Sequence, residues 1–287
     1  MYIWRKHVTP AWLRSRGANL NERFGPAMAI IEQPGKTHSF VEISCSTAKQ
    51  AHTLIRELGG RVDKLQPDWF EHFARRSQAK PLRIGSRLTV LRSPEQKRPN
   101  PATRTIVIPA EAAFGTGEHA TTAMCLRLLE RQTRDRPPGW RMLDAGTGSG
   151  ILAIAARCLG ASRVVAIDNY PVACAIAKRN ARANRVRNIE FRTGDVLKPK
   201  LAGKFDVITA NLFSELLIKA LPRFSRHIET GGWLILSGIL RSQERAVAVA
   251  LRRNGFALDE VRRRGKWIAL LAIHGGRSAP SLPRKKS

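Results

Sequence analysis

Arg141-Met-Leu-Asp-Ala-Gly-Thr-Gly-Ser-Gly150 is a short apolar strand that ends in an acid and runs into three glycines spaced two apart. A strand that turns sharply into a helix passes through conformations that a Cβ obstructs, and a ligand resting on main chain needs the same relief. Gly146, Gly148 and Gly150 supply both. Ile151, Leu152, Ile154, Ala155 and Leu159 then follow helical spacing, with Gly160 placed to stop the helix. A second apolar run, Arg163-Val-Val-Ala-Ile-Asp168, closes on another carboxylate. The succession of strand, glycine loop, helix, strand and acid points to an α/β fold with a nucleotide-handling loop.

Two cofactor classes use such a unit. A dinucleotide fold expects Gly-x-Gly-x-x-Gly, with a helix N-terminus aimed at a pyrophosphate. Position 151 is Ile, so that pattern fails. The alternative is S-adenosylmethionine, which has no phosphate to cradle. An acid at the end of the second strand, Asp168, then accepts hydrogen bonds from the ribose hydroxyls, while Asp144 and the loop face the methionine end.

Asn188-Ile-Glu-Phe-Arg-Thr-Gly-Asp195 reads as a third strand and a turn closing on an acid, placed either to meet an adenine amino group or to remain a solvated turn aspartate. Phe205-Asp-Val-Ile-Thr-Ala-Asn211 is a fourth strand that delivers Asn211 and Leu212 to the carboxyl end of the sheet, where ligands of open α/β sheets bind. Asn211 is therefore a candidate for contact with substrate; its alternative is to cap the helix starting near Ser214, a task Ser214 could do itself.

Upstream, Ala113-Phe-Gly-Thr-Gly-Glu-His-Ala-Thr-Thr122 reads as a loop leading into a helix from Thr121 to Arg131. Phe114-Gly-Thr-Gly-Glu-His-Ala-Thr-Thr122, Leu143-Asp-Ala-Gly-Thr-Gly-Ser-Gly-Ile-Leu-Ala-Ile-Ala-Ala156, Asn211, and Gly231-Gly-Trp-Leu-Ile-Leu-Ser-Gly-Ile-Leu240 with Gln243 together resemble the ribosomal protein L11 methyltransferase family. The resemblance runs from about Asp68 to Ile273, with a weaker signature at Trp69 and Lys80-Pro-Leu-Arg-Ile-Gly85.

The resemblance implies a class I, Rossmann-like methyltransferase domain with a seven-stranded mixed sheet and a small N-terminal α+β domain. It implies transfer of the methyl group of S-adenosylmethionine to lysine and α-amino nitrogens of a ribosomal protein of the large-subunit stalk. By that resemblance Phe114, Thr116 and Gly117 border the donor methyl and methionine part, and Asp144, Gly146 and Gly148 shape the cofactor loop. Asp168 holds the ribose and Asn211 sits beside the incoming amine; Asn211 and Thr116 are the residues nearest the transfer, and Asp195 remains a candidate for the adenine from its place after the third strand. His119 and Thr122 brace the loop. Tyr170 stands where the family usually has an acid, and Asn211-Leu-Phe213 replaces the usual Asn-Ile-Leu.

No catalytic base is demanded. A sulfonium methyl is already activated, and alignment of an amine in line with the S–C bond can remove about 7 kcal/mol or more of the barrier. The amine must be neutral, and lysine's reference pKa is about 10.4, so an apolar channel has to lower it. Phe114, Leu212 and Phe213 are candidate walls, and Asn211 is expected to accept a hydrogen bond from the amine.

A chain of 287 residues buries about three quarters of its unfolded surface, enough for one large or two modest domains. No apolar run approaches the roughly 20 residues that span a bilayer, and Met1-Tyr-Ile-Trp-Arg-Lys-His7 adjoins no apolar signal segment, so a cytoplasmic location and no membrane partner are expected. Cys45, Cys125, Cys158 and Cys174 have no pairing or His partner at metal spacing, so reduced thiols and no metal are expected.

The net charge of +28, from 50 Lys and Arg against 22 Asp and Glu, is the outlying quantity. It suits contact with ribosomal RNA through counterion release, or it reflects solvated arginines dispersed over the surface. It also keeps a second function open, a methyltransferase of ribosomal or transfer RNA. Such an enzyme would usually carry Asn-Pro-Pro-Tyr or a relative after the fourth strand to stack a flipped base, and positions 211 to 214 read Asn-Leu-Phe-Ser.

The expected organisation is a small α+β substrate-recognition domain over 1–67, a linker helix and strands over 68–109, the methyltransferase domain over 110–275, and a disordered basic tail over 276–287. Within it, Ser39 to Cys45 alternates like a strand, Thr47 to Leu58 is helical, and Asp68 to Gln78 reads as a connecting helix. Later elements are a strand from Gly232 to Gly238, a helix from Gln243 to Asn254, and strands from Phe256 to Val261 and Lys266 to Ile273. Trp69, Trp140, Trp233 and Trp267 are expected to pack rather than stack on bases, and the chain is taken as a monomer.

Overall fold

The computed structural model describes residues 2–24, 28–32, 39–45, 47–64, 80–98, 100, 103–109, 117, 119–198 and 201–275. The expected connecting helix, Trp69, Phe114, Thr116 and the basic tail lie outside them. The chain divides into two compact units, Met1–Ser77 and Gln78–Ser287.

The first unit contains β1 (Tyr2–Val8), α1 (Pro10–Phe24), β2 (Met28–Glu32), β3 (Ser39–Cys45), α2 (Ala48–Leu58) and β4 (Arg61–Lys64). Its antiparallel sheet runs β2-β3-β1-β4. Trp4 and Val8 of β1 fall on one face, as a period of two requires, and bury against Val41, Ile43 and Leu54. α2 starts where the Thr47 hydroxyl accepts from the Gln50 amide (3.2 Å) and stops at Gly59, whose carbonyl accepts from the Trp4 indole (2.7 Å).

The second unit opens with β5 (Leu82–Ile84), β6 (Leu88–Leu91) and β7 (Arg104–Val107), which form a three-stranded sheet. These strands fall in the segment expected to be a linker, yet Ile84, Leu88, Val90 and Ile106 are fully or almost fully buried in the same apolar cluster as the helices that follow. Then come α3 (Ala120–Gln132), β8 (Arg141–Ala145), α4 (Ile151–Cys158), β9 (Arg163–Asp168), α5 (Pro171–Ala183) and β10 (Ile189–Thr193). The chain continues through β11 (Phe205–Asn211), α6 (Ser214–His227), β12 (Ile228–Leu240), α7 (Glu244–Arg253), β13 (Phe256–Arg264) and β14 (Trp267–His274).

The large sheet has the order β10-β9-β8-β11-β12-β14-β13, parallel except for β14, which is antiparallel to both its neighbours. It is the seven-stranded mixed sheet that the sequence led us to expect. Alternate residues of each strand enter opposite cores: Met142, Val164, Val207 and Ile235 pack beneath α3 and α4, while Leu143, Val165, Ile208 and Leu234 pack against α6 and α7. Both faces are covered, which is why these strands read as continuous apolar runs. Trp140 is buried, and Trp233 and Trp267 pack at the margin of the first core.

Cys125, Cys158 and Cys174 lie in helices and Cys45 in β3, all as free thiols. Among the described residues, no group of His, Cys, Asp or Glu is arranged to hold a metal ion, and no helix is long and apolar enough to cross a membrane.

Candidate active site

Strand order reverses between β8, whose chain proceeds outward through β9 and β10, and β11, which proceeds the other way through β12. Loops leaving the carboxyl ends of two such strands diverge and open a crevice. The loop Gly146–Gly150 leaves β8 there, and Asn211 ends β11 one residue beyond the last register pair, Ala145 with Ala210.

Hydrogen bonds from the amides of Gly146 (2.8 Å) and Thr147 (3.0 Å) to the Ile167 carbonyl fold the loop onto the end of β9. Asp168, almost completely buried, receives the Gly148 amide on Oδ2 (2.9 Å) and the Tyr170 amide on Oδ1 (3.0 Å). Both carboxylate oxygens are thus fixed by main chain, and each keeps a further lone pair for a ligand. Tyr170, which occupies the family's acid position, is exposed and contributes its amide to this arrangement.

Asp144 is fully buried. Its Oδ2 accepts from the Thr147 hydroxyl and its Oδ1 from the Thr209 hydroxyl, both at 2.7 Å, so it ties the loop to β8 and β8 to β11. Burial pushes its carboxyl up to about 6, although the two hydroxyls pull it down. Asp195 is exposed, and its Oδ1 closes its own turn by accepting from the Leu197 amide (2.8 Å). Gly194 beside it donates to the Asp168 carbonyl (2.8 Å), which keeps that turn at the same sheet edge.

Asn211 donates through Nδ2 to the Thr122 hydroxyl (3.2 Å), while its Oδ1 is buried and has no partner among the described residues. Its backbone is set by Leu212, whose side chain lies where a Cβ on Gly146 would fall 2.4 Å from Cδ2. A Cβ on Gly238 would fall 2.3 Å from the Leu212 carbonyl oxygen. Both glycines have positive φ, +76° and +84°, so they are required for conformation and for space alike. Gly117 packs against Ile151, the first residue of the helix after the loop, which brings the end of the upstream segment to the same place. His119 Nδ1 shares a hydrogen bond with the Thr121 hydroxyl (2.7 Å), and its ring meets Trp267 edge-on at 5.2 Å. Burial and the Lys266 charge both lower its pKa.

The structure therefore brings Gly117, Asp144, Gly146, Gly148, Asp168 and Asn211 to one crevice. It adds Thr122, Thr147, Thr209 and Gly238, for which spacing gave no direct contact. Thr209 carries the one legible signal of these, a hydroxyl within an otherwise apolar buried strand.

The group the fold family implies is S-adenosylmethionine, and the donor set fits it. No lysine or arginine lies in 145–150 to meet a phosphate, Asp168 offers paired lone pairs of the kind vicinal hydroxyls use, and Asn211 presents an unused acceptor.

Known proteins agree. The family model described as ribosomal protein L11 methyltransferase (PrmA) matches residues 34–274. The ribosomal protein L11 methyltransferase of Pelotomaculum thermopropionicum is 40% identical over 208 residues, covering 72% of this chain and 66% of that protein. That of Symbiobacterium thermophilum is 39% identical over 224 residues, covering 76% and 72%. The alignments thus span about two thirds of the relatives' own length. Among solved structures, a ribosomal protein L11 methylase from Lactobacillus delbrueckii subsp. bulgaricus superposes with a TM-score of 0.63 at 31% identity, covering 69% of this chain and all of that one. Motifs, sheet order and relatives converge: the chain belongs to the ribosomal protein L11 methyltransferase family, whose members take their methyl group from S-adenosylmethionine.

Proposed function

We propose that this chain methylates amino nitrogens, lysine side chains and an α-amine, of ribosomal protein L11, in the cytoplasm where that protein is met. The observation that carries the reading is Asn211 Oδ1, buried and without a partner among the described residues, at the carboxyl end of β11 beside the crevice. An attacking amine has N–H groups to give and a lone pair to aim; an acceptor fixed on one side of it sets the direction of that lone pair.

The cofactor supplies a methyl group already activated on a sulfonium. The protein's share is placement. Asp168 would hold the ribose hydroxyls on oxygens that the Gly148 and Tyr170 amides keep still, and the loop from Gly146 would let the cofactor lie on main chain. Thr122 holds the Asn211 amide through Nδ2 and so leaves Oδ1 for the amine. Phe114 and Thr116 belong to this reading as walls of the methyl end. Leu212 and the exposed Phe213 line the approach with hydrocarbon, which favours the neutral amine over the ammonium. Ribosomal RNA surrounding the acceptor protein is the partner that the +28 charge fits.

Transfer of labelled methyl from S-adenosylmethionine into unmodified ribosomal subunits and total RNA, with protein then separated from nucleic acid, tests the proposal. Label on amines of the one ribosomal protein is the expected result. Label on RNA would replace it with the nucleic-acid reading that the charge also supports.

A further inference from the structure

Because β14 is antiparallel to β12 and its first residue Trp267 pairs with Leu240 at the end of β12, the β13–β14 turn lies at the carboxyl edge of the parallel strands, beside the crevice. That turn reads Arg262-Arg-Arg-Gly-Lys266. Side chains alternate along β13. Arg263 faces α7 and pairs with Glu244. Arg262 and Arg264 face the other way, toward α3, which contributes Arg127 and Arg131.

Within this group Glu260 is the carboxylate that the described residues provide, and Arg131 and Arg262 share it. Arg127, Arg264 and Lys266 have no carboxylate partner among the described residues. Arg264 and Lys266 are exposed, as is Arg241, whose amide donates to the Lys266 carbonyl (3.0 Å). The crowding is felt inside the protein: after burial, the charges of Arg264 and Arg262 lower the pKa of Arg127, and that of Lys266 lowers the pKa of His119. The fold holds like charges together across α3, β13 and the turn, next to the segment that braces Asn211.

We propose that the hairpin Arg262–Lys266, with Arg127 and Arg241 beside it, is a docking surface for the phosphate backbone of RNA. Arginine forks match phosphate oxygens two at a time. Alternate residues of a strand recur every ~6.8 Å, comparable with the step between successive phosphates of one RNA strand. An acidic peptide in extended form could match the same spacing; the net charge of +28 favours the longer polyanion, which releases more counterions on binding. That the RNA is ribosomal rests on the reading of the chain as a modifier of a ribosomal protein; the binding itself does not.

The test is fluorescence anisotropy of the full-length chain, without cofactor, against a fluorescein-labelled RNA hairpin over a range of salt. The R264E/K266E variant is compared with K219E/R223E, which reverses two exposed cations of α6 and changes the net charge equally. Matching thermal melts establish that both are folded. The expected result is a loss of ~10-fold or more in affinity for R264E/K266E, with a salt slope shallower by about two. The α6 variant is expected to stay within about three-fold of the parent.

Equal losses in the two variants, or no saturable binding by the parent chain, would overturn the proposal. So would displacement of the RNA by polyglutamate at equal charge concentration, which would mark an acidic-protein surface instead. Methylation of the isolated ribosomal protein, followed in parallel, is expected to be unchanged in R264E/K266E; its loss there would place the surface against protein. Absence of methylation by the parent chain would count against the proposed enzymatic function and leave the binding result readable.

Discussion

Asn211 Oδ1 is the buried side-chain oxygen that the described structure leaves unpaired, and such an acceptor costs about 1–3 kcal/mol when nothing meets it. A residue kept at that cost is expected to act. Asn211→Ala should bind S-adenosylmethionine as the parent does by calorimetry, while label transfer falls on the order of 10²-fold from lost alignment; a normal rate would remove Asn211 from the mechanism. Gly146→Ala puts a Cβ against Leu212 at positive φ. It should destabilise the chain by about 1–3 kcal/mol and weaken cofactor binding, with partial recovery of both when Leu212→Ala makes room. Asn211 was legible because a polar residue closes a buried apolar strand. Thr122 was legible only as a brace by resemblance, since a hydroxyl in the first turn of a helix has no pattern that names its partner.

Between elements, two buried carboxylates hold the frame. Asp144 joins β8, β11 and the glycine loop, and burial raises its carboxyl from an ordinary 3.8 to about 6. Ionisation therefore works against the folded state. The contribution of the protonated form is fully present below about 3.8 and is lost as the pH rises through about 6. Melting temperatures of Asp144→Asn relative to the parent should accordingly climb between pH of about 4 and about 6.5, then level off. Glu130, buried in α3, receives Arg87 (3.3 Å), Arg134 (3.1 Å) and the Ser86 amide (3.4 Å), so it fastens the β5–β6 turn to the helix. Glu130→Ala should lower the urea-unfolding free energy by about 2 kcal/mol, less than a wholly buried pair would lose because both arginines are partly in water.

β8, β9, β11 and β12 could be read from their apolar runs, and α2 and α4 from spacing and the glycines that stop them. β1 and α1 could not. Tyr2-Ile-Trp-Arg-Lys-His-Val8 mixes charge and hydrocarbon on both faces, and of the apolar residues in α1 whose burial is described only Leu20 is enclosed. In a small unit with a modest core, few positions are committed strongly enough to leave a period in the sequence.

At the scale of the whole chain, the two units have separate cores, and we propose that the first selects the protein substrate. Residues 78–287 produced alone should retain cofactor binding by calorimetry and lose methylation of the ribosomal protein; unchanged methylation would move substrate choice into the second unit. The same sheet also carries an instruction about the order of assembly. β14 is translated after every other described strand, yet it lies inside the sheet, between β12 and β13. Until it leaves the ribosome, both flanks of its slot are open edges able to pair with another chain. The large sheet is thus complete only once β13 and β14 have both been made, and a stalled nascent chain of this protein is a candidate client for chaperones that shield strand edges.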